Sequence, residues 1–357
     1  GLPSSVATGL IKYNFGLQVT GDQLLAKIGS VESGSVTKPL AEGYVSGLIL
    51  INQGADAIAG SVMDSAMAAA HKGPSSGIGA FGSLIAGKTK YKTGSHVDMT
   101  GIAAAAGLVF GHDFTNSSLT LGPFVEYGKG DYDSYGVVGA QEFQGEGDAE
   151  LMGGGVLFRL DYKDTGIGRY FAEASFRAGK ADNNFTVNGL VAPETEQQAI
   201  SYSYKSSAPY YGFHMGYGGG WGVTQSTSVE AYGKYFWTRG DKDTVSLSGS
   251  EIVDPQTMDF QKVSSSRIRG GARFAFAPGE QFAASFGGAY EYEMDGKTEG
   301  AVSALAIDAP ALKGGTGIGD VVISYKPSID RAMSFNFGVQ GYAGKRQGVT
   351  GSVFVRF

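Results

Sequence analysis

The sequence predicts an all-β membrane protein: a 12-stranded antiparallel transmembrane β-barrel with an N-terminal α-helix inside the pore. Three observations predict it. Gly, Tyr and Phe are abundant, at 58, 19 and 21 of 357 residues. From residue 77 onward, segment after segment alternates apolar and polar residues with period two. The connections between those segments are alternately short and long, the order of periplasmic turns and external loops in a transmembrane barrel.

Composition narrows the function classes. The Gly content is about twice the usual share and has no collagen period. So many aromatics argue against a disordered Gly-rich chain. A formal net charge of −6 does not suit general nucleic-acid binding, and none is expected. The chain has no cysteine, so disulfide scaffolds and Cys-based metal sites are out, and no cofactor or metal is expected. The opening Gly1-Leu2-Pro3-Ser4 does not read as a secretory leader, as expected of a mature or excised segment. An uninterrupted run of about 18 apolar residues is missing, so no helix is expected to cross lipid.

Three regions follow in order. Residues 1–36 hold one alternating stretch, Tyr13 to Val19, then Asp22 and Leu24 to Ile28. They read as a strand, a turn and a second strand, too little to fold alone and suited to be the trailing end of a larger β structure. Residues 37–73 read as a helix. Pro39 fits a first helical position, and Lys72-Gly73-Pro74 is a stop signal. At 1.5 Å per residue such a helix exceeds a bilayer core of about 30 Å. Ser46, Asn52, Gln53 and Asp56 are scattered around it, so it is not expected to face lipid. Gly43, Gly47, Gly54 and Gly60 would weaken it in isolation; they make it slim, as an enclosed helix must be.

Residues 74–357 form the barrel. Twelve alternating segments lie near 77–91, 97–112, 117–130, 147–162, 168–181, 206–221, 225–238, 264–278, 281–294, 311–326, 332–345 and 348–357. Short turns are expected at Asp113 to Asn116, Lys163 to Thr165, Gly222 to Thr224, Pro278 to Glu280 and Pro327 to Asp330. Long polar loops are expected at 131–145, 182–205, 239–263 and 295–310. An even strand number and closure remove exposed edges. Twelve strands lie between a filled eight-stranded barrel and an open porin, so the lumen has room for one helix. The closing strand is expected to pair with strand one near Gly77 to Tyr91. Its apolar residues, from Val349 to Phe357, should then meet lipid.

The chain resembles the translocator domain of classical monomeric autotransporters. The likeness rests on Val36-Thr37-Lys38-Pro39-Leu40-Ala41-Glu42-Gly43-Tyr44, Asn52-Gln53-Gly54-Ala55-Asp56, Tyr91-Lys92-Thr93-Gly94-Ser95-His96-Val97-Asp98 and Gly341-Tyr342-Ala343-Gly344-Lys345-Arg346-Gln347-Gly348. It covers about residues 36–357. The resemblance implies type V secretion in a Gram-negative outer membrane. The barrel would be a monomer among outer-membrane lipid, and its own N-terminal passenger would cross to the surface and stay anchored. It makes residues 1–36 the remnant of a passenger with its autochaperone and linker. Val353, Val355 and terminal Phe357 would be the signal read by the barrel-assembly machinery. Relatives that cut their own linker use an Asn-Asn pair; here the helix has one Asn, Asn52, followed by Gln53.

Candidate site residues fall into two sets. On the pore helix they are Tyr44, Asn52, Gln53 and Asp56. Alternation turns Glu126, Arg159, Glu173, Arg177, Glu230, Lys234, Arg267, Arg269, Arg273, Glu291, Asp320 and Arg356 into the lumen. These charges are expected mostly to pair across strands, with some holding the helix. Tyr91, Tyr127, Tyr162, Tyr170, Tyr292, Tyr325 and Trp237 read as interfacial girdles. His71, His96, His112 and His214 are dispersed, and no enzyme activity is expected. Gly153-Gly154-Gly155 and Gly218-Gly219-Gly220 lack the following helix and Lys of a phosphate loop.

Overall fold

The computed structural model describes residues 5–8, 10–71, 77–138, 141–162, 168–191, 199–249, 256–279, 281–327 and 334–356. Phe357, the stop signal at 72–74 and the turn at 163–165 lie outside them, as do Glu280 and residues 328–330 of two further expected turns. The same holds for the side chains of Val355 and Arg356.

The chain opens with an antiparallel sheet of β1 (Ser5–Thr8), β2 (Ile11–Thr20) and β3 (Gln23–Ser33). The β2–β3 turn is Gly21-Asp22, where Gly21 takes φ +63°, a conformation that glycine adopts without steric cost. Helix α1 (Thr37–Ala57) follows, then a π-helical turn (Ile58–Val62) and α2 (Met63–Ala70). Pro39 is the third helical residue, not the first. The exchange costs nothing, because first-turn N–H groups have no intrahelical acceptor. Gly60, with φ −118° and ψ −111°, breaks the expected single helix.

The remaining strands are β4 (Gly77–Lys92), β5 (His96–Asp113), β6 (Ser117–Val138), β7 (Gln141–Tyr162), β8 (Arg169–Val191), β9 (Ala199–Gly222), β10 (Thr227–Gly240), β11 (Asp243–Ser246), β12 (Thr257–Phe260), β13 (Val263–Phe276), β14 (Phe282–Glu293), β15 (Gly300–Val302), β16 (Leu305–Ala306), β17 (Gly314–Tyr325), β18 (Ser334–Gly344) and β19 (Arg346–Arg356). Twelve of them, β4–β10, β13, β14 and β17–β19, pair with their chain neighbours into a closed antiparallel barrel. The seam is β19 on β4, from Arg346 opposite Tyr91 to Phe354 opposite Ser83.

The wall is inside-out relative to a soluble protein. On β13, Ile268 is 53% exposed while its neighbour Arg267 is 4% exposed. Phe286, Val321 and Val339, opposite one another on β14, β17 and β18, are all exposed. A closed barrel with such a face satisfies its backbone internally and presents hydrocarbon outward, as a bilayer requires.

Two of the expected long loops are instead strand. β6 runs to Val138 and β7 starts at Gln141, so 131–145 continues the hairpin; β8 and β9 likewise extend over much of 182–205. Their polar outward residues read as loop, but the pairing persists, because Tyr132, Phe143, Phe185 and Tyr204 turn inward onto an apolar cluster. β11, β12, β15 and β16, from the other two long connections, form a four-stranded sheet of their own.

Candidate functional site: the helix seat in the pore

The helix is long and apolar enough to cross a membrane by composition, with mean hydropathy 1.2 over 18 residues. It still holds no uninterrupted run of about 18 apolar residues, in line with the expectation that no helix crosses lipid. Scattered polar residues interrupt it without removing its apolar average. Of that window 78% is buried inside the barrel, so protein surrounds it. α1 packs against β5–β10, and α2 crosses to β4, β5, β6 and β19.

At one mouth of the barrel the long hairpins close over the first turns of α1. Leu40, Tyr44 and Leu48 join Phe185, Tyr204 and Phe260 in one buried cluster, which also takes in Leu10 from the segment before β2. Tyr44 stacks on Phe260 at 4.0 Å and donates to the Asp241 carbonyl at 3.0 Å. Glu42 is fully buried and accepts from the hydroxyls of Thr93 and Ser95 in the β4–β5 turn. Burial pushes its carboxyl pKa up, against the lowering effect of those two hydroxyls and of Lys38.

Further down, wall side chains bond to helix carbonyls. Tyr204 donates to Leu40 O (2.9 Å), Asn183 to Gly43 O (2.8 Å), Arg177 to Ile51 O (2.9 Å), Arg267 to Asn52 O (3.3 Å) and Lys234 to Ala59 O (2.6 Å). The helix glycines explain the access. A Cβ on Gly43 would collide with the Phe185 ring, and one on Gly54 with Arg177.

The helix side chains Asn52, Gln53 and Asp56 all meet the wall. Asn52 Nδ2 donates to Ser265 Oγ (3.0 Å) and Gln53 Nε2 to Thr89 Oγ1 (2.9 Å). Asp56 receives three guanidiniums: Arg267 at 2.8 Å and Arg269 at 2.7 Å on Oδ1, and Arg346 at 2.6 Å on Oδ2. Glu291 holds Arg269 at 2.6 Å and Arg267 at 3.3 Å.

The other expected lumen charges pair across the wall. Glu126 accepts from Arg177 Nε at 2.9 Å and from Tyr210 at 2.7 Å. Glu173 binds Arg159 at 2.7 Å and Lys234 at 2.6 Å. Glu230 meets Arg169 at 3.6 Å, and Arg273 meets Asp320 at 3.3 Å. These last two pairs adjoin a polar cavity beside Gly60, Ser61 and Asp64, of about 120 Å³.

Alternation missed Arg346. The inward series Arg346, Gly348, Thr350, Ser352, Phe354 contains it, but it precedes the apolar run that marks the strand. Tyr91 is misassigned to a girdle: it is buried in the lumen, its ring 5.4 Å from the Arg346 guanidinium. Also unforeseen is a buried set in which Ser175 Oγ lies 2.5 Å from His214 Nδ1 and His214 Nε2 3.5 Å from Glu173. Ser175 and His214 are 6% and 2% exposed. Among the described residues no group of three or more His, Asp or Glu is placed to hold a metal.

No known family matches the sequence, and no curated protein does. Solved structures do match. The translocator domain of autotransporter NalP from Neisseria meningitidis is 11% identical, with TM-score 0.58 over 85% of this chain and 96% of that one. The transport unit of autotransporter AIDA-I from Escherichia coli is 12% identical, with TM-score 0.56 over 83% and 97%. A mutant of the monoaromatic hydrocarbon channel TodX is 12% identical, with TM-score 0.51 over 79% and 90%. The chain has the fold of autotransporter translocator domains, that of a bacterial outer-membrane barrel.

Proposed function

We propose that this chain is an outer-membrane translocator: it supports passage of its own N-terminal passenger to the cell surface and then anchors it. One observation carries the reading. Strands β1–β3 sit at the mouth formed by the long hairpins, where Ser33 Oγ donates to Ala306 O at 2.6 Å. The barrel's first strand begins at the opposite end, after the helix has run the length of the lumen. A chain whose N-terminal segment and first barrel strand lie at opposite mouths has the arrangement that outward passage of an N-terminal passenger would leave. The apolar row Phe15, Leu17, Val19, Leu24 and Ile28 on the β2–β3 ribbon suits stacking by a preceding β structure. The barrel works as a monomer in lipid without catalysis. Val353, Val355 and Phe357 serve the assembly machinery. The test is an epitope fused ahead of Gly1. Antibody should reach it on intact cells; an epitope reached only after permeabilisation contradicts the reading.

A passive channel is the second reading, favoured by the likeness to the TodX barrel and by the polar cavity beside α2. It expects a conducting intact chain and little change on removing residues 37–70. The translocator reading expects a closed chain and a sharp rise in conductance on that deletion.

A further inference from the structure

We infer that Arg267, Arg269 and Arg346 form a carboxylate-binding cradle in the barrel wall, that Asp56 is its resident ligand, and that its filling fixes the register at which the helix stops in the pore. The inference rests on the pore-helix arrangement within the translocator reading.

The cradle belongs wholly to the wall. Arg267 and Arg269 are two apart on β13 and so share its inner face, and Arg346 starts β19. Each guanidinium is held without help from the helix side chain. Arg269 binds Glu291 through Nε at 3.0 Å and Nη2 at 2.6 Å. Arg267 and Arg269 lie over the Phe236 ring at 4.7 and 4.9 Å, and Arg346 over the Tyr342 ring at 3.7 Å. Aromatic faces orient cations while leaving their N–H edges free to bind. The neighbouring Glu293 is engaged elsewhere, by Ser265 Oγ at 2.5 Å and by the Ser266 and Asp295 amides.

Of the three buried guanidiniums, Arg267 and Arg269 share the wall carboxylate Glu291, while the carboxylate that pairs with Arg346 comes from the helix. Asp56 fills the vacant position with three charge-assisted bonds of 2.6 to 2.8 Å, one of them to its second oxygen. The helix offers no rival: among the described residues from Tyr44 to Met63 it is the only acid. Asp64, two turns on, lines the cavity beside Arg273 and Asp320. A carboxylate passing down the pore meets this cradle as its strongest stop, because unpaired buried cations are costly.

The experiment is single-channel recording of the full chain, with Asp56→Ala and Asp56→Asn, in chloride and in formate at equal ionic strength. SDS-resistant barrel migration confirms that each variant is folded, and the isosteric Asn variant serves if the Ala variant is not. Wild type should stay closed in both salts. The variants should open at least several-fold more often in chloride and return toward wild type in formate, which refills the cradle. Asp56→Glu should behave as wild type. Variants that stay closed in chloride, or open equally in both salts, overturn the proposal. Surface display of the N-terminal epitope is read separately, so the cradle can fail while the translocator reading stands, and the reverse.

Discussion

Arg177 lies flat against the helix at Gly54, so that a methyl group there would stand 2.9 Å from its Nη2 and 3.3 Å from its Nη1. The guanidinium cannot easily retreat, because Nε holds Glu126 and Nη1 holds the Ile51 carbonyl. On an exposed helix Gly54→Ala would stabilise by up to ~1 kcal/mol. Here crowding of about 1–3 kcal/mol opposes it. The thermal midpoint of the folded chain should fall, and Arg177→Ala should not restore it, since Glu126 then keeps Tyr210 but loses its cationic partner.

The hairpin-covered mouth should be coupled to the helix through one ring pair. Tyr44 stacks on Phe260 with an interplanar angle of 8°. A double-mutant cycle of Tyr44→Ala and Phe260→Ala should give a coupling of about 0.5–1.5 kcal/mol beyond the separate losses. Additive losses in chemical denaturation would show that the β11–β12 hairpin does not grip the helix.

Glu42 should make helix docking at the mouth pH-dependent. Burial raises its folded pKa above the ordinary 4.5. The folded state therefore takes up a proton more readily than the unfolded one. The resulting stabilisation is complete below about pH 4.5 and is lost as pH rises through the higher folded value. Protease release of β1–β3 should be slower at acid pH than at neutral pH. Glu42→Gln, which still accepts from Thr93 and Ser95, should abolish the difference.

The lipid-facing assignment separates two neighbouring kinds of position. Phe286 is 54% exposed in the middle of β14. Phe286→Arg should cost about 2–4 kcal/mol of barrel stability in lipid, the penalty for a charge near the bilayer midplane. Gln340→Arg on β18 points into the polar cavity and should cost well under half as much. Reversal of the two would invert the inside–outside reading of the wall.

The barrel was legible because lipid and lumen impose opposite polarity on successive residues. The pair Ile268 and Arg267 shows that rule at work, and strand order needs only sequential hairpins. The helix was legible from its lack of internal Pro after Pro39 and its polar scatter. The break at Gly60 was not, because one glycine among Gly43, Gly47 and Gly54 carries no local mark of its role. The extended hairpins escaped for a different reason: their outward face is polar, and Ser134 and Gly145 interrupt the inward row of Tyr132 and Phe143, so the period from Asp131 to Gly145 is obscured. Asp56 stood out as a charge on an apolar helix. Its partners did not, since nothing local in the sequence brings Arg346 beside Arg267.

The most direct test of the account is which side of the membrane β2 occupies. The chain has no cysteine, so Val19→Cys, at a residue 72% exposed, gives a single thiol. A membrane-impermeant maleimide applied to intact cells should label it as fully as after permeabilisation. Labelling that appears only once the outer membrane is breached would contradict passage of the N-terminal segment through the barrel.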